Sequence, residues 1–294
     1  MEEAYTGRWR YLSLAPDGDA ASAIISTFNL FDGVVVDYNE AATALIQFSQ
    51  NPAASSSARA VAARAAEALL TDSGQWEEAG AFAARQGYVG DFAVCGIFRR
   101  AGLTDIEYPF EPEKRISPTP VVTAGDRVWR PVTATLGRID VGGALGFDYG
   151  VGYARTTVDL APGSYYLEVL SDDWYRVWLG ETEVLSRRPR DEVTPSRKRV
   201  RFTTGGGRVR LLIKTLKNTG GVLRVDEKWD FKLRFLKSDG FTPVDAKADT
   251  EGDEGKAAIT VEVPAADAPP TGALAAFYRG WELYEAGDYD TGIY

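Results

Sequence analysis

Along the first ninety residues apolar side chains recur every three to four positions; beyond residue 90 they alternate. Ala20, Ile24, Phe28 and Phe31 share a spacing that predicts a helix over 19–31. Asn39 is placed to cap a helix over 40–48, which Asn51-Pro52 ends. Residues 58–70 follow three serines, are rich in alanine and contain no breaker, so intrinsic propensity alone predicts a helix. Thr71-Asp72-Ser73-Gly74 predicts a turn, residues 75–85 another helix, and Gly87 its stop. Short helices joined by short turns predict helical hairpins over residues 1–89.

From Gly90 the period shortens. Residues 92–98 form a β-type apolar run, and a loop with Pro109, Pro112, Pro118 and Pro120 follows. Strands are then predicted over 127–132, 137–141, 153–160, 165–170, 174–179, 199–203, 208–216 and 229–236, separated by glycine-bearing turns. Tyr175, Val177 and Leu179 share one face; Trp174, Arg176 and Trp178 share the other. Val209, Leu211 and Ile213 oppose Arg208, Arg210 and Lys214, and Phe231, Leu233 and Phe235 oppose Lys232 and Arg234. One apolar and one basic face per strand predicts two sheets with buried inner and solvated outer faces over 90–237. Residues 238–270 lose the pattern and read as an acidic linker with one strand near 258–263. In 271–294, Leu274, Phe277, Trp281 and Tyr284 mark the apolar face of a last helix.

Composition narrows the chemistry. The 294 residues include no histidine, one cysteine and one methionine. Imidazole-dependent nucleophilic catalysis, His- or paired-Cys zinc sites and internal disulfides are excluded. No cofactor or metal is expected. Net charge is −9, yet residues 176–237 hold 17 bases and 7 acids. The overall acidity disfavours nucleic acid as a partner. No run of about 18 apolar residues suggests a membrane span. The first residues lack the basic start and apolar run of a signal peptide.

Two resemblances emerge from particular motifs. Ala-Ala-Phe-Tyr-Arg-Gly-Trp-Glu-Leu-Tyr-Glu-Ala-Gly-Asp-Tyr-Asp-Thr-Gly-Ile, residues 275–293, resembles the first helix and turn of a tetratricopeptide repeat, with Gly292 where that family usually has alanine. Gly-Ser-Tyr-Tyr-Leu-Glu-Val-Leu-Ser-Asp-Asp-Trp-Tyr-Arg-Val-Trp-Leu-Gly, residues 163–180, is similar to galactose-binding-like jelly-roll modules, and the strands over 209–218 and 229–235 resemble that family's closing pair. The family's usual Asn-Gly is replaced by Leu179-Gly180-Glu181, and its early Gly-Pro-Phe is Gly96-Ile97-Phe98. Such modules flanked by tetratricopeptide helices look like parts of large bacterial transglutaminase-like or surface proteins. That resemblance implies a longer parent chain, its other domains as partners, and a periplasmic or cell-surface location. The expected fold class is α+β and multidomain: N-terminal helical hairpins, an antiparallel β-sandwich of jelly-roll type, and a C-terminal helix beginning a tetratricopeptide-like repeat.

The candidate ligand-binding residues are Trp174, Arg176, Trp178, Arg208, Arg210, Lys214, Lys232 and Arg234. Outward tryptophans would stack on a sugar or peptide, and the bases would hold a glycan, an acidic polymer or an acidic protein segment. The competing reading packs the tryptophans beneath the proline loop or the helical unit, and turns the bases toward the chain's own acids. Glu107, Glu111 and Glu113 read as surface acids on the proline loop, and Cys95 as a buried, inert thiol. Residues 249–255 superficially resemble a calcium loop but lack its sixth-position glycine and twelfth-position acid, so linker is the better reading. The functional expectation is a non-catalytic recognition or scaffolding module for carbohydrate or protein. The alternatives are an accessory region of a transglutaminase-like or hydrolytic enzyme, and a structural spacer without a small ligand.

Overall fold

The computed structural model describes residues 38–54, 56–100, 103–114, 116, 128–146, 150–188, 197–217, 228–250 and 257–262. The helix predicted over 19–31 and the repeat-like residues 271–294 lie outside these. The chain divides into a helical unit (residues 1–86, 236–243 and 265–294) and a β unit (87–235 and 244–264).

Among the described residues the helical unit holds α1 (Tyr38–Ser49), α2 (Ser56–Asp72) and α3 (Trp76–Ala84). Ala41, Ala42, Leu45 and Phe48 form the buried face of α1, the i, i+3, i+4, i+7 pattern of an amphipathic helix. Helix α1 packs on α2, and α2 on α3. Because α1 starts at Tyr38, Asn39 sits within its first turn and is not its cap. Asn51 does end the helix: its side chain accepts a hydrogen bond from Ala53 N at 3.0 Å. Gly87, at φ +71°, supplies the left-handed residue just past α3 that the predicted stop requires.

The β unit contains β1 (Asp91–Phe98), β2 (Arg130–Thr133), β3 (Arg138–Asp140), the short helix α4 (Val141–Leu145), β4 (Val151–Leu160), β5 (Gly163–Leu170), β6 (Trp174–Leu179), β7 (Thr182–Arg187), β8 (Arg197–Thr204), β9 (Gly207–Leu216), β10 (Asp230–Lys237), β11 (Pro243–Val244), β12 (Ala248–Asp249) and β13 (Ile259–Glu262). They form two antiparallel sheets. The first runs β2-β1-β4-β9-β6-β7, with β12 on β4; the second runs β11-β10-β5-β8-β13, with β3 on β10. The predicted alternation decides what lies between them. Phe92, Ala154, Val158, Val177 and Ile213 from the first sheet meet Leu167, Phe202, Phe231 and Phe235 from the second in one core. Phe92 and Phe231 join the layers edge-to-face, with centroids 5.3 Å apart.

The turn between β8 and β9 shows why glycine is needed there. Gly206 has φ +84°, and a Cβ would fall 2.6 Å from Pro162. Strand β7 carries no clear period in sequence, because Thr-Glu-Val-Leu-Ser-Arg offers only two, adjacent apolar residues. The linker reading of 238–270 needs correction. Residues 236–243 belong to the helical unit, and the chain then returns to the sandwich. There Ala248 and Asp249 pair with Val158 and Thr157 of β4, and Ile259–Glu262 pairs with β8. That last strand is the one expected near 258–263.

Candidate functional site

Facing away from the inter-sheet core, the first sheet presents a second set of side chains. Strand register aligns Cys95 with Tyr153, Tyr153 with Lys214, and Lys214 with Arg176. Phe98, Val151, Trp174, Trp178, Leu212 and Leu216 lie around them and are buried. What buries them is a strap from the proline loop: two short 3-10 turns, Leu103–Ile106 and Glu111–Glu113, that insert Ile106 and Phe110. Phe110 stacks on Phe98 with centroids 5.5 Å apart, and Tyr153 meets Phe98 edge-on at the same distance.

The sheet's bases hold the strap down. Lys214 is fully buried, and its Nζ lies 2.9 Å from Glu113 Oε1. Nζ also donates to the carbonyl of Tyr108, and the Tyr153 hydroxyl donates to the same Glu113 oxygen. Arg210 donates to the Pro112 carbonyl at 3.2 Å. Arg176 pairs with Glu183 at 2.5 Å, reaches Glu107 at 3.9 Å, and lies over the Trp178 ring at 4.9 Å. Arg188 also bridges Glu107 and Glu183.

These surroundings reset proton affinities. Burial pushes the Lys214 ammonium down to about 8, against the opposing pull of Glu113. Burial, reinforced by the Glu113 charge, holds the Tyr153 phenol well above its ordinary value. For Arg176 burial opposes the charge, but the Glu183 contact wins and raises its proton affinity.

The eight predicted residues therefore do not share one site. Trp174, Arg176, Trp178, Arg210 and Lys214 meet beneath the strap. Arg208 stands at the start of β9, away from the strap, paired with Asp249 and 3.9 Å from Asp159. Lys232 and Arg234 lie on the outer face of the second sheet, where Arg234 pairs with buried Glu168 at 2.8 Å. Both sit over the Tyr88 ring, at 5.0 and 5.2 Å.

The structure packs the two tryptophans beneath the proline loop and turns Lys214 and Arg176 toward the chain's own acids, as in the second of the two readings given for them. Trp178 is 1% exposed and Trp174 8%, so neither offers an open stacking platform. The strands alternate as their sequence predicts, and the second face is roofed. Glu113 and Glu107, read as surface acids, supply the roof's counter-charges. The signal lies in the strands themselves: Trp174, Trp178, Leu212 and Leu216 put large apolar groups on an otherwise basic face, and such a face needs a cover. Cys95 is buried as expected.

Among the described residues no group of three or more acids and cysteines is placed to hold a metal ion, and no helix is long and apolar enough to cross a membrane. The helical unit has a cavity of about 190 Å³, lined in part by Arg59, Phe82, Arg85, Gln86 and Phe241. None of the eight residues lines it. Compared with known proteins, the chain matches no family model and no curated sequence. Roles at the site rest on its geometry.

Proposed function

We propose that the chain is a non-catalytic scaffolding and recognition module of a larger protein, built to hold and present neighbouring parts. The observation that carries this reading is the internal use of the sandwich's reactive side chains. Lys214, Arg176 and Arg234 are each matched to a carboxylate of the same unit. A buried charge so paired rigidifies a fold and has little left to offer a ligand. The galactose-binding-like motif of residues 163–180 and the tetratricopeptide-like start at 275–293 support recognition of protein over glycan, since the face a glycan would need is covered.

The test is a screen of the full chain against immobilised neutral and acidic glycans, with acyl and glycosidic model substrates assayed in parallel. The expected result is no retention and no turnover. Specific retention lost in Arg176→Ala, with the fold intact, would restore the glycan reading. Turnover by the purified chain would overturn the non-catalytic one.

A further inference from the structure

Lys214 and Glu113 bring an amine and a carboxyl together in a dry, apolar shell. Nζ and Oε1 are 2.9 Å apart, and the two side chains are 0% and 3% exposed. The rings of Phe110 and Tyr153 lie 5.0 and 5.7 Å from Nζ. The residues are 101 positions apart in sequence, so tertiary structure alone makes the pair. Tyr153 donates to the carboxylate oxygen, and the Tyr108 carbonyl fixes the amine.

We propose that Lys214 and Glu113 condense into an intramolecular amide, a self-formed cross-link that fastens the strap to β9. The nitrogen lone pair of Lys214 forms a bond to Glu113 Cδ, and one Cδ–O bond breaks. Starting from the ion pair, the ammonium carries three hydrogens: the amide keeps one, and two leave with the departing oxygen as water. Charge is zero on both sides, and no oxidant, nucleotide or metal is consumed. Tyr153 touches the reacting oxygen and acts as the catalytic residue. It passes its hydroxyl proton to that oxygen and regains one from the amine.

Four physical effects favour the step. Held groups react with effective molarities that reach about 10⁵–10⁸ M, which lowers the barrier to amide formation. Exclusion of water removes the reagent for reversal. Condensation also replaces two buried charges with one neutral amide and so relieves their desolvation. Burial already weakens the hold of Lys214 on its proton, which supplies the neutral amine that attacks. The cross-link goes beyond the scaffolding proposal and stands or falls separately from it.

The experiment is the intact mass of the full chain under denaturing conditions, after incubation near neutral pH, followed by peptide mapping. The expected mass is one water below that of the sequence, with a branched peptide joining Lys214 to Glu113. Lys214→Arg and Glu113→Ala should each restore the full mass, and Tyr153→Phe should accumulate chain that has kept its water. A natively folded wild-type chain that retains its full mass after prolonged incubation overturns the proposal. So does a water loss with no branch between these two residues. A branch that forms equally fast in Tyr153→Phe removes the catalytic role given to Tyr153.

Discussion

Phe110→Ala removes the ring that seats the strap. That side chain is fully buried, stacks on Phe98 at 5.5 Å, and lies 5.0 Å from the Lys214 amine. Truncating a buried phenylalanine costs about 3–5 kcal/mol, as lost transfer energy plus the cavity left behind. Two local terms adjust this in the chain whose Lys214 and Glu113 are still an ion pair. Losing the cation–π contact adds roughly 0.5–2 kcal/mol. Water entering the cavity to solvate Lys214 and Glu113 offsets a similar amount, because a buried charge gains from any hydration. The two adjustments cancel, so the expected loss is about 3–5 kcal/mol, against roughly 0.5 kcal/mol or less for an ordinary surface loop. Denaturant titration read by tryptophan fluorescence would measure it as a lower midpoint for sandwich unfolding. Trp174 and Trp178 lie beneath the same strap, so acrylamide quenching of the folded variant should rise as well. A loss below about 1 kcal/mol with unchanged quenching would refute the claim that the strap is part of the core.

Other consequences follow from the same contacts. Glu168→Gln leaves Arg234 buried without its counter-charge and should cost about 3–5 kcal/mol, while Glu168→Leu with Arg234→Met should recover most of that loss; equal costs in a denaturation series would contradict the pairing. Trp178→Ala should lower the unfolding midpoint by an amount typical of a core truncation, about 3–5 kcal/mol; a surface-sized loss would reopen the platform reading. Tyr153 keeps its proton in the folded state at a pH where the unfolded phenol, with its pKa of about 10, has lost it. The unfolded state then binds fewer protons, so this residue's contribution to stability falls as pH rises above about 10. Tyr153→Phe should flatten that fall, and parallel wild-type and variant curves would contradict the assigned environment.

The sequence disclosed the sandwich because period-two alternation and inter-sheet burial are the same fact seen twice. Tyr175, Val177 and Leu179, or Phe231, Leu233 and Phe235, can face only one layer. Short edge pieces were harder. β11 and β12 have two residues each, too few to show a period. Alanine-rich α2 is legible from propensity, whereas Asn39, a capping residue type, lies inside α1 and does not mark its boundary. The strap is only partly legible: two large tryptophans call for a cover that the proline loop can supply, but its charged contacts leave no local signal. Prolines and acids in 107–113 carry the composition of an exposed loop, and only Ile106 and Phe110 betray a buried side. The partner of Glu113 lies 101 positions away. No local pattern reports such a contact, and the burial of Lys214 inverts the usual expectation for lysine. Basic residues on an outer strand face fit a ligand surface and an internal cover equally well in sequence, and the fold uses Lys214 and Arg210 to close its own roof.

The central claim is that this aromatic and basic face is shut in the folded chain. Hydroxyl-radical footprinting tests it within one molecule, because Trp76 is 60% exposed while Trp178 is 1% exposed. The account predicts rapid oxidation of Trp76, protection of Trp178 in native buffer, and convergence of the two rates once denaturant unfolds the sandwich. Equal oxidation of Trp76 and Trp178 in the native chain would contradict it.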